Sequence, residues 1–308
     1  FFGNQGDVKH RERSLKKKIK NYTHFNVDIR ERNKIFNLVK KTRPFAIIHC
    51  AGQPSHDLAA KIPFDDFETN ANGTLNLLEA VRRYSKKTIF IFLSTNKVYG
   101  DNPNKLELNE LKTRYEYKNK NFKKGIDEKL SIDQNTHSIF GASKLSADIL
   151  VQEYGRYFDI ITCCLRAGCI TGPNHAGVEL HGFLNYLIKC NVNKTMYSIY
   201  GYKGKQVRDN IHAYDLAQFI RLFLEKPRKA EVYNIGGGKN NSISILEAFN
   251  KIANLSGIKM ISEYKKKARI GDHICYYSDL TKIKEHYPSW HIEKKLDNIF
   301  EEILQRYL

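Results

Sequence analysis

Short apolar runs alternate with helical segments through the first half of this 308-residue chain, and this alternation restricts the possible folds more than any other feature. The runs at 45–50 (FAIIHC), 88–93 (TIFIFL) and 160–165 (IITCCL) have strand length, while 70–84 and 141–157 have apolar residues at helical spacing. Strands and helices in this order predict a parallel sheet with helices on both faces. We therefore predict an α/β chain with a doubly wound parallel sheet.

The pattern loosens after residue 165. A Gly-, Pro- and His-rich loop at 167–177 precedes a predicted helix at 182–190. The polar stretch 102–136 is too long for a simple connection, and we interpret it as a lid or substrate loop. The predicted domains are a nucleotide-binding unit (1–165 and about 211–235) and a smaller C-terminal substrate unit (166–210 and 236–308).

Composition excludes several classes of protein. No apolar run reaches the length of a membrane helix and no secretory signal is recognisable, so we expect a cytoplasmic protein with no membrane partner. The net charge of +18 comes partly from short lysine clusters without interleaved aromatic residues, which favours a solvated face over a nucleic-acid partner. The six cysteines form no C-x-x-C pair, which predicts reduced core thiols and no metal site.

A doubly wound sheet usually begins with a strand, a glycine-rich turn and a helix whose amide groups hold a pyrophosphate. The printed sequence has no such arrangement. Gly3-x-x-Gly6 follows no strand and leads into a basic polar stretch, so we interpret it as an ordinary loop.

Seven sequence motifs occur in an order that is typical of one protein superfamily. They are DIR at 28–30, HCAGQ at 49–53, NANGTLNLLEA at 70–80, STNKVYGD at 94–101, SK at 143–144, QVRD at 206–209 and NIGGG at 234–238. This order resembles the extended short-chain dehydrogenases of the NAD-dependent epimerase/dehydratase family. STNKVYGD, followed by TRYE at 113–116, HS at 137–138 and GKQVRD at 204–209, is most similar to the CDP-paratose 2-epimerases, also called CDP-tyvelose epimerases.

The resemblance implies a nucleotide-sugar epimerase that inverts a sugar carbon by transient oxidation with bound NAD. The catalytic positions would be Thr95, Lys144 and Phe140, of which Lys144 would also hold the nicotinamide ribose. Further cofactor contacts would come from Asp28, Ile29, Ala51, Gly52, Gln53 and Asn70. By the same resemblance Asp28 would follow a strand and contact the adenine amine. The nucleotide sugar, by the same resemblance a CDP-sugar, would contact Asn96, Lys97, His181, Arg208 and Arg269.

Phe140 departs from the family pattern, because the family has tyrosine four residues before the lysine that matches Lys144. Phenylalanine has no proton to exchange, yet removal of a hydride from a carbinol carbon requires the hydroxyl proton to leave as well. Three interpretations stay open: another group supplies the proton, the protein is inactive, or this branch runs a variant reaction. The candidate substitute bases are Tyr115, Tyr117, Cys169, His175 and His181.

The sequence leaves two rival functions open. A sugar 4-epimerase or 4,6-dehydratase is the rival among enzymes, although dehydratases resembling this chain carry Asp-Glu where Asn96-Lys97 stands. A non-catalytic nucleotide-binding protein is the rival outside enzymes, and it is motivated by Phe140 and by the missing glycine-rich turn.

The motif order also carries two expectations about the whole protein. Asp28 stands early for the family, so we expect about 30 to 40 further residues before Phe1, the size of a strand, turn, helix and strand. We also expect a homodimer that pairs the helices at 70–84 and 141–157 into a four-helix bundle. Leu77, Leu150 and Val151 on those helices would otherwise lack a packing partner.

Overall fold

The computed structural model describes residues 9–179 and 181–308, and the predicted Gly3-x-x-Gly6 loop lies outside them. The helices are α1 (Lys9–Lys18), α2 (Arg32–Thr42), α3 (His56–Ala59), α4 (Pro63–Phe67), α5 (Gly73–Tyr84), α6 (Ser138–Phe158), α7 (Phe183–Val192), α8 (Ala213–Glu225), α9 (Ile245–Ser256), α10 (Thr281–His286) and α11 (Leu296–Gln305). The strands are β1 (Ala46–His49), β2 (Ile89–Thr95), β3 (Leu108–Glu110), β4 (Tyr115–Tyr117), β5 (Thr162–Ala167), β6 (Cys169–Thr171), β7 (Tyr197–Tyr200), β8 (Val207–His212), β9 (Glu231–Ile235), β10 (Ser242–Ser244), β11 (Ser262–Lys265) and β12 (Cys275–Tyr276).

The central sheet is parallel and has the order β1-β2-β5-β9. Side chains of a strand alternate between its two faces, and in β2 both faces are apolar. Phe90 and Phe92 pack in one cluster with residues of α2, α5 and α6, whereas Ile89 and Ile91 pack in another with residues of α8 and α10. Helices therefore cover both faces, and the predicted α/β fold with a parallel sheet is confirmed.

The two long helices predicted at 70–84 and 141–157 are present with small differences. The first begins as a π-helical turn over Glu68–Asn72 and continues as α5, while α6 starts three residues earlier than predicted. Leu77 and Val151 are buried in this chain's own core, so the expectation that they lack a packing partner was wrong. The exposed apolar residues of α6 include Ile149 and Tyr157.

The segment before Asp28 does not form the strand that the motif order implied. Residues 22–28 carry no strand, and among the described strands β1 pairs with β2 alone. A strand exists only where a neighbour shares its hydrogen bonds, which a local apolar pattern cannot establish. The segment is held instead by side-chain packing of Val27 and Ile29 and by the Asn76 side-chain amide, which donates to the Ile29 carbonyl at 3.0 Å.

A second layer follows β5 along the chain. In it β8 pairs antiparallel with β10 and parallel with both β6 and β12, while β7 pairs with β11. Helices α7, α9 and α11 share an apolar cluster beside these strands. None of the described helices has the length and apolarity that crossing a membrane requires.

A buried ion pair joins α6 to β5 beneath the carboxyl end of β2. Arg166 donates to both carboxylate oxygens of Asp148 at 3.0 and 3.2 Å, and the Ser94 hydroxyl donates to the same carboxylate at 2.6 Å. The Asp148 and Arg166 side chains are 0% and 5% exposed. The pair therefore fixes the position of the strand that ends at Thr95.

Candidate active site

A cavity of about 650 Å³ opens at the carboxyl ends of β1, β2 and β5 and extends to the second layer. Open parallel sheets bind ligands at this edge. Residues distant in sequence line it together, including Thr95, Phe140, Lys144, Cys169, His181, Arg208 and Arg269. The structure thus brings all three predicted catalytic positions to one cavity with the predicted substrate residues Asn96, Lys97, His181, Arg208 and Arg269.

Thr95 is the last residue of β2 and caps the 3₁₀ helix Asn96–Tyr99. Its hydroxyl oxygen accepts a hydrogen bond from the backbone amide of Lys97 at 3.2 Å. A capping residue of this kind satisfies an otherwise unpaired helical donor, and the bond fixes the side chain. The structure therefore holds the Thr95 hydroxyl in a defined position at the cavity wall.

Lys144 lies on the buried face of α6 and points its ammonium group at the end of β2. Nζ donates to the Leu93 carbonyl at 2.7 Å and lies 4.0 Å from the centre of the Phe92 ring. Burial lowers the pKa of Lys144 to about 8, and the nearby Asp148 carboxylate opposes that shift. The side chain is a fixed cationic donor facing the cavity.

The loop after β1 is held from behind by polar side chains. The backbone amide of Gln53 donates to Asn70 Oδ1 at 2.9 Å, and the side-chain amide of Asn70 donates to the Ser143 hydroxyl at 3.1 Å. A Cβ on Gly52 would stand 2.9 Å from Asn70 Oδ1, so only glycine fits there without displacement. Of the predicted cofactor residues in this region, Gly52 and Gln53 line the cavity, whereas Ala51 and Asn70 do not.

Asp28 and Ile29 lie outside the cavity lining. Both Asp28 oxygens accept hydrogen bonds from the Arg30 side chain, at 3.1 and 2.8 Å, and these bonds lower the pKa of Asp28. Arg30 also pairs with Asp65 at 2.9 Å. The assignment of Asp28 to the adenine amine stays a prediction, and such a contact would compete with Arg30.

The predicted substrate cations are paired with two carboxylates that sequence reasoning missed. Asp272 accepts from Arg208 and lies 3.5 Å from the Lys97 ammonium group, while Asp57 accepts from Arg269. Burial acts to raise the pKa of Asp272, but Arg208 and Lys97 hold it well below its usual value. The only signal in the sequence was that each aspartate lies close to a predicted site residue. Asp272 is three positions after Arg269, and Asp57 is four positions after Gln53.

Burial also lowers the pKa of Lys97 to about 8. Its Nζ donates to the Gly271 carbonyl at 2.9 Å. An anionic ligand entering here would meet three clustered cations and displace carboxylate partners, which suits a diphosphate.

Two of the five candidate bases do not reach the cavity. Tyr117 is 5% exposed and its hydroxyl donates to the Cys275 carbonyl at 2.6 Å, while Tyr115 is not among the lining residues. They belong to the stretch 102–136, none of which lines the cavity, although Asn104 of that stretch donates to the carbonyl of the cavity residue Asp272 at 2.9 Å. Its residue Ile126 is fully buried, and the role of the stretch as a lid or substrate loop stays a prediction.

Cys169, His175 and His181 do line the cavity. Burial raises the pKa of the Cys169 thiol to about 11 and lowers the pKa of His181. The rings of His175 and His181 contact each other edge to face at 5.1 Å. Cys169 is therefore a protonated thiol at neutral pH and a poor proton acceptor.

The cavity residues fit one end of a nicotinamide dinucleotide. Lys144 offers a buried cationic donor and Thr95 a fixed hydroxyl beside the end of β2, which suits a nicotinamide ribose and a reacting sugar hydroxyl. When bound, the nicotinamide supplies a reversible hydride acceptor. For the pyrophosphate, the printed sequence contains no Gly-x-Gly-x-x-Gly turn.

This parallel sheet, with a cationic cavity at its carboxyl edge, defines a nucleotide-binding α/β protein of the Rossmann class. The family profile of the "NAD dependent epimerase/dehydratase family" matches residues 5–236. The chain belongs to that family, as its motifs indicated, and its cofactor is accordingly NAD.

Several known proteins are similar to this chain. The CDP-paratose 2-epimerase of Salmonella typhi is 35% identical over 271 residues, covering 85% of this chain and 78% of that protein. A dTDP-glucose 4,6-dehydratase of Haemophilus influenzae is 28% identical over 289 residues, covering 90% and 75%. The UDP-glucose 4-epimerase of Thermotoga maritima shares the fold, with a TM-score of 0.77 at 21% identity and coverage of 99% and 96%.

Proposed function

We propose that this protein is an epimerase of CDP-sugars that inverts C2 of a CDP-paratose-like substrate by transient oxidation. The main support is the placement of Thr95 and Lys144 at one cavity with the Arg208, Arg269 and Lys97 cations. The similarity to a CDP-paratose 2-epimerase supports the nucleotide and sugar. Asn96-Lys97 stands where dehydratases need an acid and a base, and this argues against dehydration.

In this proposal the protein residues bind and orient the substrate. Arg208 and Arg269 hold the diphosphate by bidentate hydrogen bonds, since planar guanidinium groups match phosphate oxygens. Thr95 hydrogen-bonds the reacting hydroxyl, and Lys144 orients the nicotinamide ribose and stabilises negative charge on the substrate oxygen. Bound NAD would take up the hydride and return it, and would therefore not be consumed.

The direct test supplies the full-length protein with NAD and either CDP-paratose or CDP-tyvelose, and follows their interconversion by NMR. Parallel reactions with UDP-glucose and dTDP-glucose test the rival 4-epimerase and 4,6-dehydratase activities. Interconversion of the CDP-sugars alone supports the proposal. A 4-keto-6-deoxy product from dTDP-glucose would establish the dehydratase instead, and tight binding of CDP-sugar without turnover would favour the non-catalytic alternative.

Arg269→Leu tests the substrate end of the site. Loss of a charge-assisted hydrogen bond costs about 1.5–3 kcal/mol, so we expect the Kd for CDP-sugar to rise about 10- to 100-fold, measured by calorimetry. Arg221→Leu is the control, because Arg221 lies on the exposed side of α8 and pairs with Glu225. Unchanged affinity in Arg269→Leu would exclude a contact between this residue and the diphosphate.

We also propose that the protein is a homodimer through α5 and α6. The exposed Ile149 and Tyr157 lie eight residues apart and so on one face of α6, whereas Leu150 packs against this chain's own core. Light scattering at micromolar concentration is expected to give twice the chain mass, and Ile149→Lys is expected to give the monomer because it places a charge in the contact. A monomeric unsubstituted protein would contradict this assignment.

A further inference from the structure

His56 is a cavity residue that the motif analysis did not single out, and its ring lies against Phe140. The two ring centroids are 5.8 Å apart and the planes are within 15° of parallel. His56 begins α3, whose capping residue Ser55 accepts a hydrogen bond from the Leu58 amide at 3.3 Å. The imidazole is therefore positioned beside the residue that replaces the family's tyrosine.

The surroundings of His56 favour one neutral tautomer. Nδ1 lies 3.5 Å from the Ile270 carbonyl oxygen, which is the outer limit of a hydrogen bond. Because a carbonyl can only accept, this contact is favourable only in the tautomer with the proton on Nδ1 and the lone pair on Nε2. The charged groups around the ring are Lys97, Asp272, Arg269 and Asp57. Burial, reinforced by Lys97, lowers the pKa of His56 to about 4, and the ring is accordingly uncharged at neutral pH.

We propose that His56 is the general base that replaces the missing tyrosine, with Nε2 accepting the proton of the reacting sugar hydroxyl. This inference rests on the proposed epimerase function. The O–H bond breaks and its proton passes to Nε2. The C–H bond breaks at the same carbon, its electron pair leaves as hydride to the nicotinamide, and a carbonyl forms. Return of the hydride to the opposite face and of the proton to oxygen closes the cycle.

Phe140 supports the imidazole ring of His56 in the proposed arrangement. Its side chain is 7% exposed and provides the apolar surface on which the imidazole stacks. A tyrosine at this position would introduce a hydroxyl at the family's own site for the proton acceptor. The two residues are therefore alternative solutions to one requirement, and restoring the tyrosine should make His56 dispensable.

The test compares His56→Asn, Phe140→Tyr and the double variant in the full-length protein with CDP-paratose and NAD. Asparagine keeps a donor near the Nδ1 position but has no basic nitrogen, so the contact with Ile270 is retained. We expect His56→Asn to lower kcat about 10²- to 10⁴-fold with an unchanged Kd for CDP-sugar. The double variant should regain at least about tenfold in kcat over His56→Asn, because Phe140→Tyr restores the family's own proton acceptor. His291→Gln, at an exposed histidine that contacts its own loop, is the control.

The pH profile gives a second readout that a structural role would not change. For unsubstituted protein, kcat/KM should be flat from about pH 6 to 7, because a base with a low pKa is already fully deprotonated there. The range ends below the pKa of about 8 that burial gives both Lys144 and Lys97, since loss of their charge at higher pH would lower kcat/KM. In the double variant, kcat/KM should rise with pH, because a tyrosine must ionise first. The ¹⁵N shifts of the His56 ring, recorded without substrate or cofactor, should show the Nδ1–H tautomer.

The contrary outcomes separate the two proposals. An inactive unsubstituted protein would contradict the epimerase function, and the assignment of His56 would fall with it. An active protein would contradict the assignment of His56 alone in three cases: His56→Asn retains full kcat, the double variant shows no recovery, or the ring carries its proton on Nε2.

Discussion

Lys144→Met is expected to lower turnover of the full-length enzyme about 10²- to 10⁴-fold, the range typical for loss of a group that assists proton and hydride transfer. The ammonium group is buried at the end of β2 and donates to the Leu93 carbonyl, so it faces the cavity from a fixed position. Methionine retains the length of the side chain and removes the charge and the donor. Thr95→Val should have an effect of the same order, since valine keeps the shape and loses the hydroxyl.

Turnover should be measured together with thermal unfolding. Burial of the Lys144 cation already costs free energy, as its lowered pKa indicates, and the uncharged variant is therefore expected to unfold at a similar temperature. Lys86→Met, at an exposed turn before β2, is the matched control and should be fully active. A fully active Lys144→Met would exclude the short-chain dehydrogenase mechanism for this protein.

Asp148→Ala is expected to lower the free energy of unfolding by about 3–5 kcal/mol, because it leaves a buried guanidinium group without its counter-charge. The Arg166 side chain is 5% exposed, and the hydrogen bonds that it and Ser94 donate to this carboxylate would both be lost. Urea denaturation at pH 7 measures the change. Ser94, which donates to this carboxylate, immediately precedes Thr95, so the loss should also disturb the end of β2.

Two further variants test this explanation. Asp148→Ala combined with Arg166→Met removes both charges, and the double variant should recover much of the stability because apolar replacement of a buried pair is often nearly neutral. Glu153→Ala disrupts an exposed pair with Arg156 on the same helix and should cost less than about 1 kcal/mol. Equal losses in Asp148→Ala and Glu153→Ala would mean that the buried pair has no special role.

The spacing of apolar residues was sufficient to predict helices and strands whose type depends on residues close together in sequence. The apolar run that became β2 and the helical spacing that became α6 both predicted the correct element. Burial on both faces of a strand requires a continuous apolar run, and burial on one face of a helix requires apolar residues three or four positions apart. The strand expected before Asp28 failed for the converse reason. Strand formation there requires a paired neighbour, which the described chain does not provide beside residues 22–28.

The sequence by itself determined the family, the parallel α/β fold, and the fact that Phe140 cannot exchange a proton, since each depends only on which residue types stand in which order. Only the tertiary structure decided what surrounds those positions. In the folded chain Arg269 donates to Asp57, which is 212 residues away, and the His56 ring stacks on Phe140. Tyr117 is buried and donates to the Cys275 carbonyl. Such contacts depend on how sheet edges and loops pack in three dimensions, and no local spacing encodes that packing.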